Sequence, residues 1–262
     1  MPTIEVKGIG KTFRSRRRTT TALSTVDLTI RQNEFITLVG PSGCGKSTLL
    51  KIIGALATPT HGTVTYDGKL IVRPQPNVGF VFQEPALLPW RSVMDNILLP
   101  AEILGLAMAA TRTHAQELIE LTGLAGFEKH EPHELSGGMQ QRVSICRALV
   151  TRPSILLMDE PFAALDAMTR EELALELLRI WDRDKKTVIF VTHSIPEAIL
   201  LADRVVAMSA RPGRIAKIVD VDLPRPRTLD VEFTAAFKSY SDAIRAVIYE
   251  GQRRPQQEAF PA

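Results

Sequence analysis

The sequence predicts an α/β fold with a mainly parallel sheet covered on both faces, and three observations predict it. Short apolar runs rich in β-formers, at Phe35–Val39, Val78–Phe82, Ile155–Met158 and Val188–Thr192, read as buried strands. Stretches of helical periodicity lie between them, and Phe35–Val39 leads through a glycine-rich turn straight into one. A long segment from Leu87 to about Val150 is helical in pattern and interrupts the alternation.

Taken in order, Thr3–Lys7 and Val26–Ile30 alternate apolar and polar residues, the signature of half-buried strands. Lys46–Ala57 carries Leu49, Leu50, Ile52, Ile53 and Leu56 at helical spacing. Gly62–Tyr66 and Leu70–Val72 flank an Asp67-Gly68 turn and predict a hairpin. In the inserted segment Ile97, Leu98, Ile103 and Leu104, then Leu118, Ile119 and Leu121, recur at helical periods, separated by Gly105, Gly123 and Pro132. Glu171–Trp181 is helical in pattern, as is Phe233–Ile248 beyond a Pro- and Arg-richer stretch that starts after Pro224. Gly251–Ala262 reads as a mobile tail.

The bulk numbers exclude several classes. With 45% hydrophobic and 23% charged residues the chain is neither disordered nor fibrous. Two cysteines cannot form a disulfide framework and suggest a reducing compartment. A net charge of +3 is too small to argue for nucleic acid. No run approaches the ~18 apolar residues of a membrane span, and the N-terminus lacks a signal-peptide core, so a cytosolic chain is expected unless a partner holds it at a membrane.

Gly40-Pro41-Ser42-Gly43-Cys44-Gly45-Lys46-Ser47, followed by Thr48, fits the G-x-x-x-x-G-K-[ST] phosphate loop. Glycines let successive backbone N–H groups approach phosphate oxygens with no Cβ in the way. The helix that follows aims its positive end at the same anion. Lys46 adds charge for the β- and γ-phosphates, and Ser47 a hydroxyl for Mg²⁺. Ile155–Met158 ends in Asp159 and Glu160. These carboxylates fall at the C-terminal edge of the sheet, where open α/β folds bind ligands. Asp159 is expected to orient the metal through water, and Glu160 to polarise the attacking water as general base. No Asn-Lys-x-Asp guanine-reading motif occurs, which argues against a GTPase.

Leu135-Ser136-Gly137-Gly138-Met139-Gln140-Gln141-Arg142 stands between these two motifs and resembles the signature of ABC transporter ATPases. Gln83 is similar to that family's Q-loop glutamine, Ala163-Ala164-Leu165-Asp166 to its D-loop, and His193 to its switch histidine. The likeness extends over roughly Ile4–Leu223. It implies a P-loop ABC ATPase cassette: a mainly parallel core sheet, an antiparallel β subdomain, and a helical subdomain between the phosphate loop and the acidic strand. Residues 1–225 would form this single domain, with its core at about 1–86 and 151–225, its helical subdomain at about 87–150, and a C-terminal helix and tail at 226–262.

On residue chemistry alone, Ser136 can cap the helix Met139–Leu149 and present N–H groups and a hydroxyl to an anion. One nucleotide does not need two phosphate-binding helix ends. The resemblance implies that Ser136, Gly137 and Gly138 grip the γ-phosphate held on a second subunit, so that two copies sandwich two ATP molecules head to tail, with Asp166 at the dimer contact. It likewise assigns His193 to the γ-phosphate or attacking water, and Gln83 to metal and water. Phe13 has two readings, an adenine-stacking aromatic or a strand-end core residue. Met139 departs from the family's usual Gln at that position and removes a polar contact to the partner nucleotide. Cys44 lies inside the phosphate loop, so thiol alkylation is expected to reduce nucleotide binding, with ATP protecting; Cys146 reads as packing.

Gln83–Asn96, together with Ala210-Arg211-Pro212-Gly213-Arg214, most resembles the bacterial nitrate/sulfonate/taurine importer group. That likeness implies two permease subunits, an extracytoplasmic solute-binding protein, and a peripheral position on the cytoplasmic side of the cell membrane. Leu87, Leu88 and Trp90 then either anchor a permease helix or pack between subdomains. The basic stretch Lys11, Arg14, Arg16, Arg17 and Arg18 is a solvated loop, a site for anionic lipid, or one for nucleic acid. Two other functions stay open: an export or lipid-extraction ATPase, and a nucleotide-gated regulatory module with little turnover.

Overall fold

Strands buried on both faces read as unbroken apolar runs, and Phe35–Val39 (β3), with every residue buried, is the anchor of the first of two compact units. The computed structural model describes residues 2–15 and 18–257. The first unit comprises the chain up to Pro74 and from Thr187 onward; the second is Gln75–Lys186.

In the first unit, Pro2–Arg14 (β1) and Thr19–Arg31 (β2) form a long antiparallel pair, well beyond the short strands expected from Thr3–Lys7 and Val26–Ile30. His61–Tyr66 (β4) pairs with β1, and Lys69–Leu70 (β5) closes the expected hairpin across Asp67-Gly68. The order β2-β1-β4-β5 makes an all-antiparallel sheet.

β3 runs parallel to Thr187–Thr192 (β8) on one side and Arg204–Met208 (β9) on the other, and Ile215–Asp220 (β10) adds antiparallel to β9. The helix after β3, Lys46–Ile53 (α1), stops short of the expected Ala57. Gly54 caps it and Ala55 turns left-handed at φ 55°, while Leu56 and Ala57 bond back to the Lys51 carbonyl.

Ile195–Leu201 (α6) and Ala235–Gln257 (α7) bury Ala198, Ile199, Phe237 and Ile244 against Val39, Val205 and Ala207. Buried Arg227 donates to the carbonyls of Ile199, Leu200 and Ala202, satisfying the orphan acceptors that end α6. α6, β9 and β10 are absent from the sequence-based expectation. α7 starts and ends later than Phe233–Ile248, so residues 251–257 of the expected tail continue it. The remainder, 258–262, lies outside the described residues, as do Arg16 and Arg17 of the basic stretch.

In the second unit, Val78–Val81 (β6) pairs in parallel with Ile155–Asp159 (β7). Between them run Val93–Leu104 (α2), Met108–Leu121 (α3) and Gly137–Leu149 (α4). Ala167–Arg183 (α5) follows β7. It begins before the expected Glu171, because Asp166 accepts the Thr169 N–H at 3.1 Å and caps it.

Candidate functional site

The phosphate loop leaves β3 at Val39 and enters α1 at Lys46. Gly45, the residue capping α1, sits at φ 104°, and a Cβ on it would stand 2.6 Å from Leu23 Cδ2. Gly40 has no room either, because its Cβ would lie 2.8 Å from the Met208 carbonyl. No side chain caps α1 and no acid occupies its first turn. A helix start with a glycine cap and no acid in its first turn fits an anionic ligand such as the phosphates of ATP. Lys46 is only 4% exposed and its Nζ donates to the carbonyls of Gly40 (2.9 Å) and Pro41 (3.2 Å). Ser42 and Gly43 are exposed; Pro41, Ser47 and Thr48 are half-buried. Cys44 is buried at 1% exposure, which slows any reagent that would alkylate its thiol.

His193 follows β8 directly, and the parallel register Val39↔Thr192 puts Gly40 and His193 at the same sheet edge. Thr192 Oγ1 donates to Glu197 at 2.6 Å and accepts from the Ser194 N–H at 2.9 Å, which fixes the turn that carries the exposed histidine. Phe13 is 50% exposed with the Lys11 ammonium 5.0 Å from its ring centre, which removes the reading of a buried core aromatic.

In the second unit, the register Val81↔Met158 brings the segment with Gln83 and the pair Asp159–Glu160 to one edge of the β6–β7 ladder. Asp159 is buried at 4% exposure. Glu160 is half-buried at φ 45°, a left-handed conformation that a non-glycine residue adopts at a cost, and its carbonyl accepts the Ala163 N–H at 3.1 Å. Gln83 is exposed.

Two residues without an expected role hold the segment after Gln83. Arg147 of α4 donates to the carbonyls of Pro85 and Ala86. Asn96, fully buried on α2, accepts the Leu88 N–H (2.8 Å) and donates to the carbonyls of Leu88, Arg91 and Ser92. Leu87 and Leu88 are half-buried, whereas Trp90 is 71% exposed and belongs to no core.

Ser136 caps α4 as expected, its Oγ accepting the Met139 N–H at 3.3 Å. Ser136 and Gly137 are exposed, and a Cβ on Gly137 would meet nothing within 4 Å. A Cβ on Gly138 would instead lie 2.9 Å from Thr169 Cγ2, so the signature turn touches the start of α5 beside Asp166. Hydrogen bonds from Thr169 hold the Asp166 carboxyl below its usual range. Behind this end, Arg142 donates to the Thr122 carbonyl at 3.1 Å and pairs with Glu172 (3.3 Å) and Glu176 (3.6 Å). Burial pushes the Cys146 thiol up to about 12, which matches a packing role.

A family model for ABC transporters matches residues 23–163. An uncharacterized ABC transporter ATP-binding protein of Methanocaldococcus jannaschii is 50% identical over 86% of this chain and 84% of its own length. The aliphatic sulfonates import ATP-binding protein of Bacillus cereus strain ATCC 10987 is 47% identical over 96% of each chain. A solved dimeric ATP-binding cassette, described as a post-hydrolysis state bound to ADP and Pi, superposes with a TM-score of 0.75 at 34% identity, over 84% of this chain and all of that one.

Proposed function

The chain belongs to the ABC transporter ATP-binding family and is an ATPase, and from that premise we propose that it drives import of a small anionic solute, of the sulfonate, taurine or nitrate type, through separate permease subunits. The observation that carries the ATP-driven part of this reading is buried Lys46 at the glycine-capped, acid-free start of α1, where a buried strand ends. Likeness to a sulfonate import subunit over nearly the whole chain supports the solute class. No helix among the described residues is long and apolar enough to cross a membrane, consistent with a pathway in other polypeptides.

In this reading backbone amides and side chains from Gly40 to Thr48 cradle the phosphates, Lys46 counters their charge, and Phe13 stacks on the adenine. The donor set fits Mg²⁺: a hydroxyl on Ser47, an amide oxygen on Gln83 and a carboxylate on Asp159 are hard oxygen ligands, the last acting through water. Bound Mg²⁺ would neutralise charge on the transferred phosphoryl group. Glu160 takes the proton of the attacking water, and His193 holds the γ-phosphate side of the reaction. Ser136, Gly137 and Gly138 close on the γ-phosphate bound to a second copy, with Asp166 at the contact between copies. ATP bound between copies adds to their association energy, so binding closes the dimer and hydrolysis releases it.

Residues 1–225 act as the ATPase domain, 87–150 as its helical subdomain, and Leu87, Leu88 and Trp90 as apolar anchors for a permease helix. The complex includes two permease subunits and an extracytoplasmic solute-binding protein, places this chain on the cytoplasmic side of the membrane, and involves no nucleic acid. The test is uptake of labelled taurine, an alkanesulfonate and nitrate by cells whose only copy of this chain is wild type or E160Q. Loss of uptake of one of these solutes in the variant is expected. Equal uptake of all three in both strains would overturn the importer reading.

A further inference from the structure

The turn Ser209–Arg214 lies against the phosphate loop within the first unit, and nothing in the reading above uses it. It is closed on itself, with the Ser209 N–H donating to the Arg214 carbonyl at 3.0 Å and the Arg214 N–H to Ser209 Oγ at 3.3 Å. It is stitched to β2 as well: the Gly213 N–H donates to the Ala22 carbonyl and its carbonyl accepts the Ser24 N–H, both at 2.9 Å. From this fixed base the Arg211 guanidinium donates from Nε (3.1 Å) and Nη2 (2.9 Å) to one acceptor, the carbonyl of Gly43.

We infer that Arg211 is a positioning residue for the nucleotide, setting the phosphate loop's peptide planes by holding the Gly43 carbonyl from outside. The inference rests on the ATP-binding reading of that loop. The Cys44 N–H, in the same peptide unit as the Gly43 carbonyl, donates to the Pro41 carbonyl at 3.3 Å, so the plane is gripped at both ends across a turn in which Gly43 adopts φ 73°. One residue on, Gly213 packs against the Cys44 carbonyl so closely that no Cβ would fit. A trans peptide points its carbonyl and N–H in opposite directions. Pinning the Cys44 carbonyl against the turn therefore aims the Gly45 N–H away from it. Without the guanidinium, only the 3.3 Å bond from the Cys44 N–H to Pro41 resists a swing of the Gly43 carbonyl toward the anion, which it would repel. Arg211 thus acts on nucleotide affinity through the loop, and on ground state and transition state alike.

The experiment compares wild type, R211M, R211K and a charge control on exposed β10, K217M, as full-length proteins. Mg–ATP affinity is read by titration with a fluorescent ATP analogue, and KM, kcat and melting temperature are measured alongside. R211M is expected to weaken binding and raise KM about tenfold, the scale of a lost charge-assisted hydrogen bond. Its kcat should stay within about twofold and its melting temperature should match wild type. R211K, which keeps the charge but loses the planar two-nitrogen fork, should recover about half of the loss on a logarithmic scale, and K217M should bind as wild type does. Affinity in R211M within twofold of wild type, an equal loss in K217M, or a loss that tracks a fall in melting temperature and is not recovered by R211K would each overturn the inference. Wild-type protein that binds no Mg–ATP would instead overturn the nucleotide reading on which it stands.

Discussion

Two glycine-rich turns lead into helices, and their glycines are there for different reasons. At the start of α1 the chain's own packing demands them, since side chains on Gly40 and Gly45 would run into Met208 and Leu23. A glycine caps the helix there, no acid occupies its first turn, and the lysine that opens it is buried. At the start of α4 a serine already caps the helix, the turn is exposed, and Gly137 has open space around it. Ala is a better helix former than Gly by ~1 kcal/mol, so nothing inside one copy explains Gly137. The contrast fits the proposed division of labour, in which α1 holds an anion by itself and α4 is approached by a second copy.

The largest effect tests what both ends serve. Glu160→Gln keeps the size of the side chain and removes the proton acceptor, so turnover should fall about 10²–10⁴-fold while ATP binding persists. The variant should accumulate as an ATP-bound dimer by light scattering, because in the proposed cycle release of the second copy follows hydrolysis. Rapid turnover would remove Glu160 from the role of base.

Next comes Lys46→Ala, which strikes α1 alone. Loss of charge-assisted bonds to two phosphates should weaken Mg–ATP binding about 10²-fold, and by the same factor at any protein concentration, since the defect lies within one copy. A loss that vanished on dilution would break the assignment of α1 as the self-sufficient end.

Gly137→Ala sharpens the other half. Its Cβ meets nothing within 4 Å, so the melting temperature should hold or rise slightly and single-copy affinity for ATP should not change. ATPase activity should nevertheless fall about tenfold, the scale of one disturbed hydrogen-bonded contact in the closed dimer. Full activity would mean that nothing approaches that turn. Gly138→Ala is the less clean variant, because Thr169 Cγ2 already stands 2.9 Å from its Cβ position.

What was legible in the sequence follows from range. Buried strands, the strand–turn–helix around Gly40–Ser47 and the Ser136 cap depend on neighbours in sequence and are readable from it. α6 and β9 also have local signals, a helix start at Ser194-Ile195-Pro196-Glu197 and an apolar run at Val205–Met208, but both are too short for a clear period. The residues that position the site were not legible, because their partners are distant. Arg211 finds Gly43 168 positions away and Arg147 finds Ala86 61 positions away. No local periodicity encodes such a contact. The close approach of Gly213 to the Cys44 carbonyl is equally hidden, since it joins residues far apart in sequence.

The smallest effect concerns what supports the α4 end from behind. Glu176 of α5 faces Arg142 of α4, with Glu172 and Arg179 also acting on it, and burial raises its carboxyl above the usual range despite the attraction of Arg142. A carboxyl raised on folding favours the folded state fully below its unfolded value, near 4.5, and that contribution is lost as pH rises through the folded value. At neutral pH the protein therefore carries the cost of a buried charge at this position. Glu176→Gln removes it and should raise the melting temperature at pH 7.5 by about 1–2 °C, with the gain fading toward pH 4.5. Its turnover should stay unchanged, since the N-terminal turn of α4 and its Ser136 cap remain in place. A melting temperature that falls at pH 7.5 would mean that the Arg142 pair outweighs desolvation, and that the signature helix is held by charge rather than by packing.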